Sequence, residues 1–445
     1  MTPAGLTSLW VAVTLGAPVI VVGFRLMAGT SQGGLGLSVT QLLLAVPLGV
    51  VAAVGVLWVT ARPGSAYGEG LGVLLRPSFG VVGAWLYLLV HLSLLIVISA
   101  FGLRIFGAML AEAIRDLGYV VPVSVGIGIA AAAAVIMGIA GALQWWVRRI
   151  AFWGGLAAAM WIAWRLASGL DFQAASTQSR SPMFWLGVDM IIGLAVLFFP
   201  LVVDTTRSLQ DERTAPASVG AGFGVSALIV LMVGGLAAMV GPGTLDPSTI
   251  MTSLGSPSGG IAATLALLAW LVFAQLDQAA VFLVSPTRAL GSLGIEAPVW
   301  VAALVGPVLA TGVAVLSTSV GLFDFLRFLI SLLTPILGIF LSDYYVVRGG
   351  AYLSRDLYRR KGAYRGVNLA AVLALIAGFA VYQWISPVGP VEWVTLIEDG
   401  LPWAPLSAYG VPAVIVSLAV SVLAYSAAGR FLVREESYVS HVRPF

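Results

Sequence analysis

Long runs of apolar residues, each about the length of a membrane-crossing helix, alternate with short polar segments along this chain. They predict helices at about 6–27, 38–61, 81–110, 121–141, 145–168, 184–203, 217–240, 260–284, 297–318, 322–347, 367–386 and 408–429. About 20 apolar residues in a helix cross the hydrocarbon layer. Barrel strands would instead alternate with period two, a pattern these continuous runs lack. A helix also closes every backbone hydrogen bond within itself, as lipid requires. The expected fold is therefore an all-α integral membrane protein of about twelve spans. The first run has no basic segment before it and is long enough to span, so it reads as the first membrane helix rather than a cleaved leader.

Composition supports this pattern. Sixty per cent of the 445 residues are apolar, 9% are charged, and mean hydropathy is +1.03. A soluble domain carries about 25% charged residues. The few basic residues also set an orientation. With the N-terminus inside, 16 of the 22 Lys and Arg fall on the inner side, including Arg62, Arg76, Arg207, Arg348 and Arg365. The positive-inside rule then puts both termini in the cytoplasm, and the chain in the cytoplasmic (inner) membrane. The polar stretches 204–214 and 349–367 become cytoplasmic loops, and 387–405, with Trp393 and Trp403, an external one. With no cysteine and only His91 and His441, thiolate and histidine metal centres are excluded. No metal, cofactor or nucleic-acid partner is expected; the partners are the bilayer and a small-molecule substrate.

Several short motifs carry a resemblance. Gly36-Leu37-Ser38 opens the second span, and Arg76-Pro77-Ser78-Phe79-Gly80 precedes the third. Asp204-Thr205-Thr206-Arg207 ends the sixth. Pro335 to Gly338, Ser342 to Arg348, Asp356-Leu357-Tyr358, Gly362-Ala363-Tyr364 and Gly366-Val367-Asn368 follow in order. Together they resemble the nucleobase–cation symporter family of purine, cytosine, uracil, allantoin and hydantoin permeases. Taken alone, Arg76 and Arg348 satisfy the positive-inside rule and Asp343 can pair at a helix end, so the motifs speak for framework more than substrate.

The resemblance implies a core of two inverted five-helix repeats over 1–347, a cytoplasmic loop at 348–366, and two peripheral helices with a tail over 367–445. It also implies a site near the midplane where spans one and six are interrupted, leaving helix ends and free carbonyls for ions and polar solutes. Matching breakers are Gly16-Ala17-Pro18 in span one, and Gly193 and Pro200 in span six, with Phe198 and Phe199 between them. By the same likeness, the third span contributes Ser99, Phe101 and Arg104, and the eighth contributes Gln278. The family's aromatic cage is not reproduced: its positions fall on Val97 to Ala100, Arg104 and Ala195, and Phe101, Phe198 or Phe199 would have to substitute. Its hydroxyl pair for sodium falls on Gln275 and Leu276. Gln275 or Asp277 would then serve a coupling ion or proton, and protons, or no ion, stand beside sodium.

A charge at the bilayer centre costs about 2.5–3.5 kcal/mol on insertion scales. Arg104 and Asp277 are the deepest candidates, and the expectation is that they face one another in the central cavity. Arg25 and Asp189 lie nearer the outer ends of their spans and read as snorkelling; Asp324 and Arg327 read as a local pair. His91 has no carboxylate near it in sequence and reads as a packing residue. The whole describes a secondary transporter of a small polar or heterocyclic solute, nucleobase- or vitamin-like, working by alternating access. The alternatives are an anionic solute held by Arg104, and a membrane sensor or partner that kept the fold without transport. An enzyme would need a cluster of nucleophile, base or metal ligands, for which two histidines and no cysteine leave little material.

Overall fold

Apolar runs become helices wherever the computed structural model describes the chain, which it does for residues 1–30, 33–116, 119–139, 151–168, 181–209, 211–240, 299–359, 362–401 and 403–432. Fourteen α-helices and no strand occur among these residues. They are α1 (Pro3–Thr14), α2 (Ala17–Met27), α3 (Val39–Tyr67), α4 (Leu71–Leu74), α5 (Arg76–Asp116), α6 (Val123–Ile139) and α7 (Leu156–Ser168). After these come α8 (Phe184–Thr206), α9 (Thr214–Val240), α10 (Val299–Leu316), α11 (Ser319–Leu341), α12 (Leu369–Ile385), α13 (Val391–Gly400) and α14 (Ala413–Leu432). Among the described residues, five stretches are long and apolar enough to cross a membrane: Val39–Tyr67, Arg76–Ala108, Phe184–Thr206, Thr214–Met239 and Ser319–Val347. Pro3–Thr14 and Pro18–Met27 are together long and apolar enough to cross as one broken span, bent by 53°. The span expected at 260–284 lies outside the described residues, as do the first residues of the one at 145–168.

Burial sorts these helices. α3 leaves Leu44, Leu48, Val51 and Trp58 exposed on one side, an apolar face that belongs against lipid. α8 is buried along most of its length and lies along α3, touching α11 and α14 as well. α9 packs on α1, α2 and α3, while α12 and α14 pack on each other and on α11.

The first span breaks as expected. α1 ends at Thr14, Gly16 is extended (φ −69°, ψ 157°), and α2 restarts with Pro18 in its first turn. There a proline costs nothing, because that N–H has no intrahelical partner. The sixth span differs from the expectation. α8 runs unbroken from Phe184 to Thr206 through Gly193 and Pro200. Proline has a helical φ and forfeits one hydrogen bond, which a well-packed membrane helix tolerates; no residue of α8 adopts the extended conformation that breaks the first span. The segment 387–405 also holds more structure than its polarity suggests. α13 folds back on α12, with the Trp393 indole donating to Gln383 (3.3 Å) and stacking on Phe379.

Ser78, Asp343, Arg348 and Asn368, from three of these motifs, converge in one polar knot. Asp343, fully buried, accepts from the Arg348 guanidinium (3.0 and 3.1 Å), the Ser78 hydroxyl (3.1 Å) and the Tyr425 hydroxyl (2.7 Å). Arg348 also donates to the Pro77 carbonyl, and Asn368 to the Ser78 carbonyl and Tyr425 hydroxyl. Gly80 lets the loop approach. Its φ of 80° kinks α5, and a Cβ there would strike the Gly366 carbonyl. Backbone bonds from Val81 to Tyr364 and from Val82 to Gly366 then pin the loop to the kink.

Asp204 forms a second knot. It accepts the Leu71 N–H (3.0 Å) at the start of α4, and its other oxygen lies 3.8 Å from His91 Nε2. His91 is buried and stacked on Tyr87, so the fold supplies the carboxylate that its sequence neighbourhood lacks. Thr205 accepts from the Trp10 indole (3.3 Å), tying α1 to α8.

On the loop between α8 and α9, exposed Asp211 accepts from the Thr214 hydroxyl (2.6 Å) and from the Thr214 and Arg213 N–H groups. The Thr214 hydroxyl first, then these N–H groups, hold its carboxyl down at about 2. A depressed carboxyl contributes stability above its unfolded pKa and loses it as pH falls through the folded one. The loop is therefore indifferent to pH in the neutral range, and its contribution disappears only between about 3.8 and about 2. Carboxyl NMR of labelled protein should show an Asp211 midpoint near 2, rising toward the ordinary value in Thr214→Val. An Asp211 midpoint near 3.8 in the parent protein would contradict these bonds.

Candidate functional site

Three helices turn one face each toward a shared cavity of about 200 Å³. From α2 come Pro18, Val22 and Arg25; from α8, Leu186, Asp189, Met190, Gly193, Leu194 and Leu197; from α11, Phe323, Leu326, Arg327 and Ile330. Each set repeats at three or four residues, the spacing of a single helical face. Phe101 of α5, Tyr382 and Ser386 of α12, and Ala413 and Val414 of α14 complete much of the remaining wall.

Its polar groups are few and differently engaged. Asp189 is buried, and its two oxygens accept the N–H groups of Val414 (3.0 Å) and Ile415 (2.9 Å). These are among the unpaired donors that open α14, where a carboxylate also meets the positive end of the helix dipole. Arg327 donates to the Ser386 hydroxyl (2.9 Å) and lies 3.8 Å from the half-exposed Asp324. Arg25 is 8% exposed, with its guanidinium carbon 3.9 Å from the centre of the Phe323 ring. Its Nε is buried without a hydrogen-bond partner. Phe101 and Phe323 tilt against one another at 6.0 Å, so the aromatic surface is continuous.

Of the residues expected at the site, Pro18, Phe101 and Gly193 line this cavity. Ala17 is the first residue of α2 at the break. Ser99 is buried on α5, its hydroxyl without a hydrogen-bond partner. Phe198 and Phe199 are fully buried and do not line the cavity. Phe198 packs edge-on to Trp10 and Phe223, because the cavity face of α8 passes through Gly193, Leu194 and Leu197 instead. Arg104 does not line it either. Its guanidinium donates to the Ala314 carbonyl (3.3 Å), one of the last four of α10, which the helix itself leaves unpaired. Gln275, Asp277 and Gln278 lie outside the described residues, and with them the Arg104–Asp277 pairing.

The sequence reading passed over Arg25, Asp189, Phe323 and Arg327 as cavity residues. Arg25 does not snorkel. A signal was present: Pro18, Val22 and Arg25 stand at i, i+4 and i+7, so an arginine shares the face of the proline that marks the break.

A helical membrane chain whose first span breaks beside a sparsely polar cavity between its helices is built as a secondary transporter. The sequence profile of the permeases for cytosine/purines, uracil, thiamine and allantoin matches residues 2–400, and the chain belongs to that family. The hydantoin permease of Microbacterium maritypicum is 26% identical over 418 residues, covering 86% of this chain and 81% of that protein. The fold is that of Mhp1, a nucleobase-cation-symport-1 family transporter. Its closed form with bromovinylhydantoin bound superposes with a TM-score of 0.74 at 19% identity, covering 98% of this chain and 94% of Mhp1. Its inward-facing form gives 0.73 at 20% identity, covering 96% and 90%. A manganese transporter of Eremococcus coleocola shares the fold more distantly, at 0.53 and 12% identity over 95% of this chain and 94% of that one.

Proposed function

We propose that the chain imports a small planar solute, nucleobase- or hydantoin-like, across the cytoplasmic membrane by alternating access, and that the cavity beside the broken first span is where the solute sits. The carrying observation is the convergence of Pro18, Phe101 and Gly193, on three separate helices, on one cavity with a continuous aromatic surface. Relatives that carry hydantoins and nucleobases support the solute class, and the two conformations of Mhp1 support the mechanism.

The core would be residues 1–347 with a cytoplasmic loop at 348–366, and the C-terminal helices over 367–445 would brace it. Coupling would run through Gln275 or Asp277 on the eighth span. Because the family's hydroxyl pair falls on Gln275 and Leu276, uptake is expected to need no sodium. Proteoliposomes given labelled hydantoin, allantoin, cytosine, uracil and thiamine should accumulate at least one of them, at the same rate in sodium and in choline buffers. A saturable sodium-dependent rise in affinity would reject the coupling proposal. Binding with no uptake of any of the five would reject transport in favour of a sensor.

The charge bias supports cytoplasmic termini. A C-terminal reporter that works only in the cytoplasm should be active, and activity of a periplasm-only reporter would reverse the orientation.

A further inference from the structure

We infer that the cavity is built to receive an anion, and that Arg25, with Arg327 beside it, holds a carboxylate on a small flat or apolar solute. The inference rests on the reading of this cavity as the solute site and names the chemistry of one end of that solute. Arg25 is more than nine-tenths buried, lines the cavity, and has no hydrogen bond or ion pair from its guanidinium among the described residues. The Phe323 ring lies against the guanidinium at 3.9 Å and holds it in place without using its N–H donors. A guanidinium held in place with free donors is the arrangement that grips a carboxylate through two parallel hydrogen bonds.

The other charges at the cavity leave room for that anion. Asp189 is the carboxylate in the wall, but both of its oxygens are occupied by the N–H groups opening α14. Asp324 stands 3.8 Å from Arg327 and is half exposed, so solvent shares its charge. Arg327 is anchored through one nitrogen by Ser386. Two guanidiniums thus face one cavity in which no carboxylate among the described residues is paired with Arg25. Two arginines on one small cavity are unfavourable together in the absence of an anion, and Phe101, Phe323 and Leu197 offer the apolar surface that a ring attached to the carboxylate would cover.

The test compares matched probes that differ in one carboxylate: orotate against uracil, and nicotinate against nicotinamide, each titrated calorimetrically into the full-length protein in nanodiscs. At least one carboxylate is expected to bind the parent protein more tightly than its neutral partner, which needs no variant. Arg25→Gln should weaken that carboxylate by about 10- to 100-fold, the worth of hydrogen bonds to a charged group, and leave the neutral partner unchanged. Arg25→Lys, which keeps the charge and loses the fork, should fall between. Where Arg25→Gln does not fold, Arg327→Gln should show a smaller loss confined to the carboxylate. Equal or tighter binding of both neutral probes to the parent protein overturns the inference and leaves the transport reading standing. So does a loss in Arg25→Gln that is the same for charged and neutral probes. Failure of the transport reading is seen separately, as absence of uptake in proteoliposomes of a probe that binds.

Discussion

Asp343→Asn is expected to lower the stability of the solubilised protein by about 3–5 kcal/mol, the usual cost of leaving one partner of a buried ion pair uncompensated. Arg348 is held by that carboxylate at 3.0 Å with little exposure on either side chain, so it cannot turn to water when the charge is removed. The damage would spread along the hydrogen bonds. Ser78 and Tyr425 both donate to the same carboxylate, one from the start of α5 and the other from α14. An asparagine can accept from only part of this set. The midpoint of thermal unfolding in detergent reads the effect, and Tyr425→Phe should show a smaller loss because it removes the hydroxyl's bonds to Asp343 and Asn368 but leaves the Asp343–Arg348 ion pair in place. If Asp343→Asn unfolds with the parent protein, the knot does not hold these helices together. A double change, Asp343→Asn with Arg348→Gln, should recover part of the loss, since it removes the stranded charge along with its partner.

Gly234→Val is expected to cost about 1–3 kcal/mol or more, the range for overpacking a filled interior, and to abolish uptake. α2 and α9 cross with backbone against backbone: a Cβ at Gly234 would strike the Ile20 carbonyl, and one at Gly23 the Leu231 carbonyl. Neither obstacle is a flexible side-chain end, so relief requires the helices to separate. Close approach of this kind is how membrane helices gain contact where lipid supplies no hydrophobic drive. The functional loss follows because the opposite side of α2 carries Pro18, Val22 and Arg25 into the cavity. Gly55→Ala on α3 is the control. Nothing lies within 4 Å of its added Cβ, and alanine favours a helix by up to about 1 kcal/mol. A Gly234→Val protein with parental melting and parental uptake would show that the crossing is looser than described.

Much of this molecule was legible before any coordinates. The apolar runs place the helices because the bilayer sets a minimum length and allows no unpaired backbone, so a run of the right length has one outcome. Gly16 and Pro18 mark the break in the first span for a similarly local reason: proline suits a helix start, and Gly16, a poor helix former, takes the extended conformation just before it. The motifs from Arg76 to Asn368 also point to framework: Ser78, Asp343, Arg348 and Asn368 meet in one knot, and Asp204 builds a second.

What depended on neighbours was not legible. Pro200 has the same sequence character as Pro18, yet α8 continues through it, because the packing around a central helix decides whether a proline breaks or merely passes. Arg104 resembles a cavity charge until α10 ends beside it with a free carbonyl. His91 gains Asp204 from a helix more than a hundred residues away, and Asp189 gains the start of α14 from farther still. Arg25 changed most. Hydropathy places it near the outer end of a span, where an arginine reaches water at little cost. In the folded chain Phe323 lies against it and its side chain lines the cavity. The sequence by itself determined which of the described segments are apolar helices and where the first span breaks, since those depend on length and backbone chemistry within a segment. Only the tertiary structure decided which charges face the cavity and which are spent on helix ends, because a side chain's electrostatic partner lies on another helix.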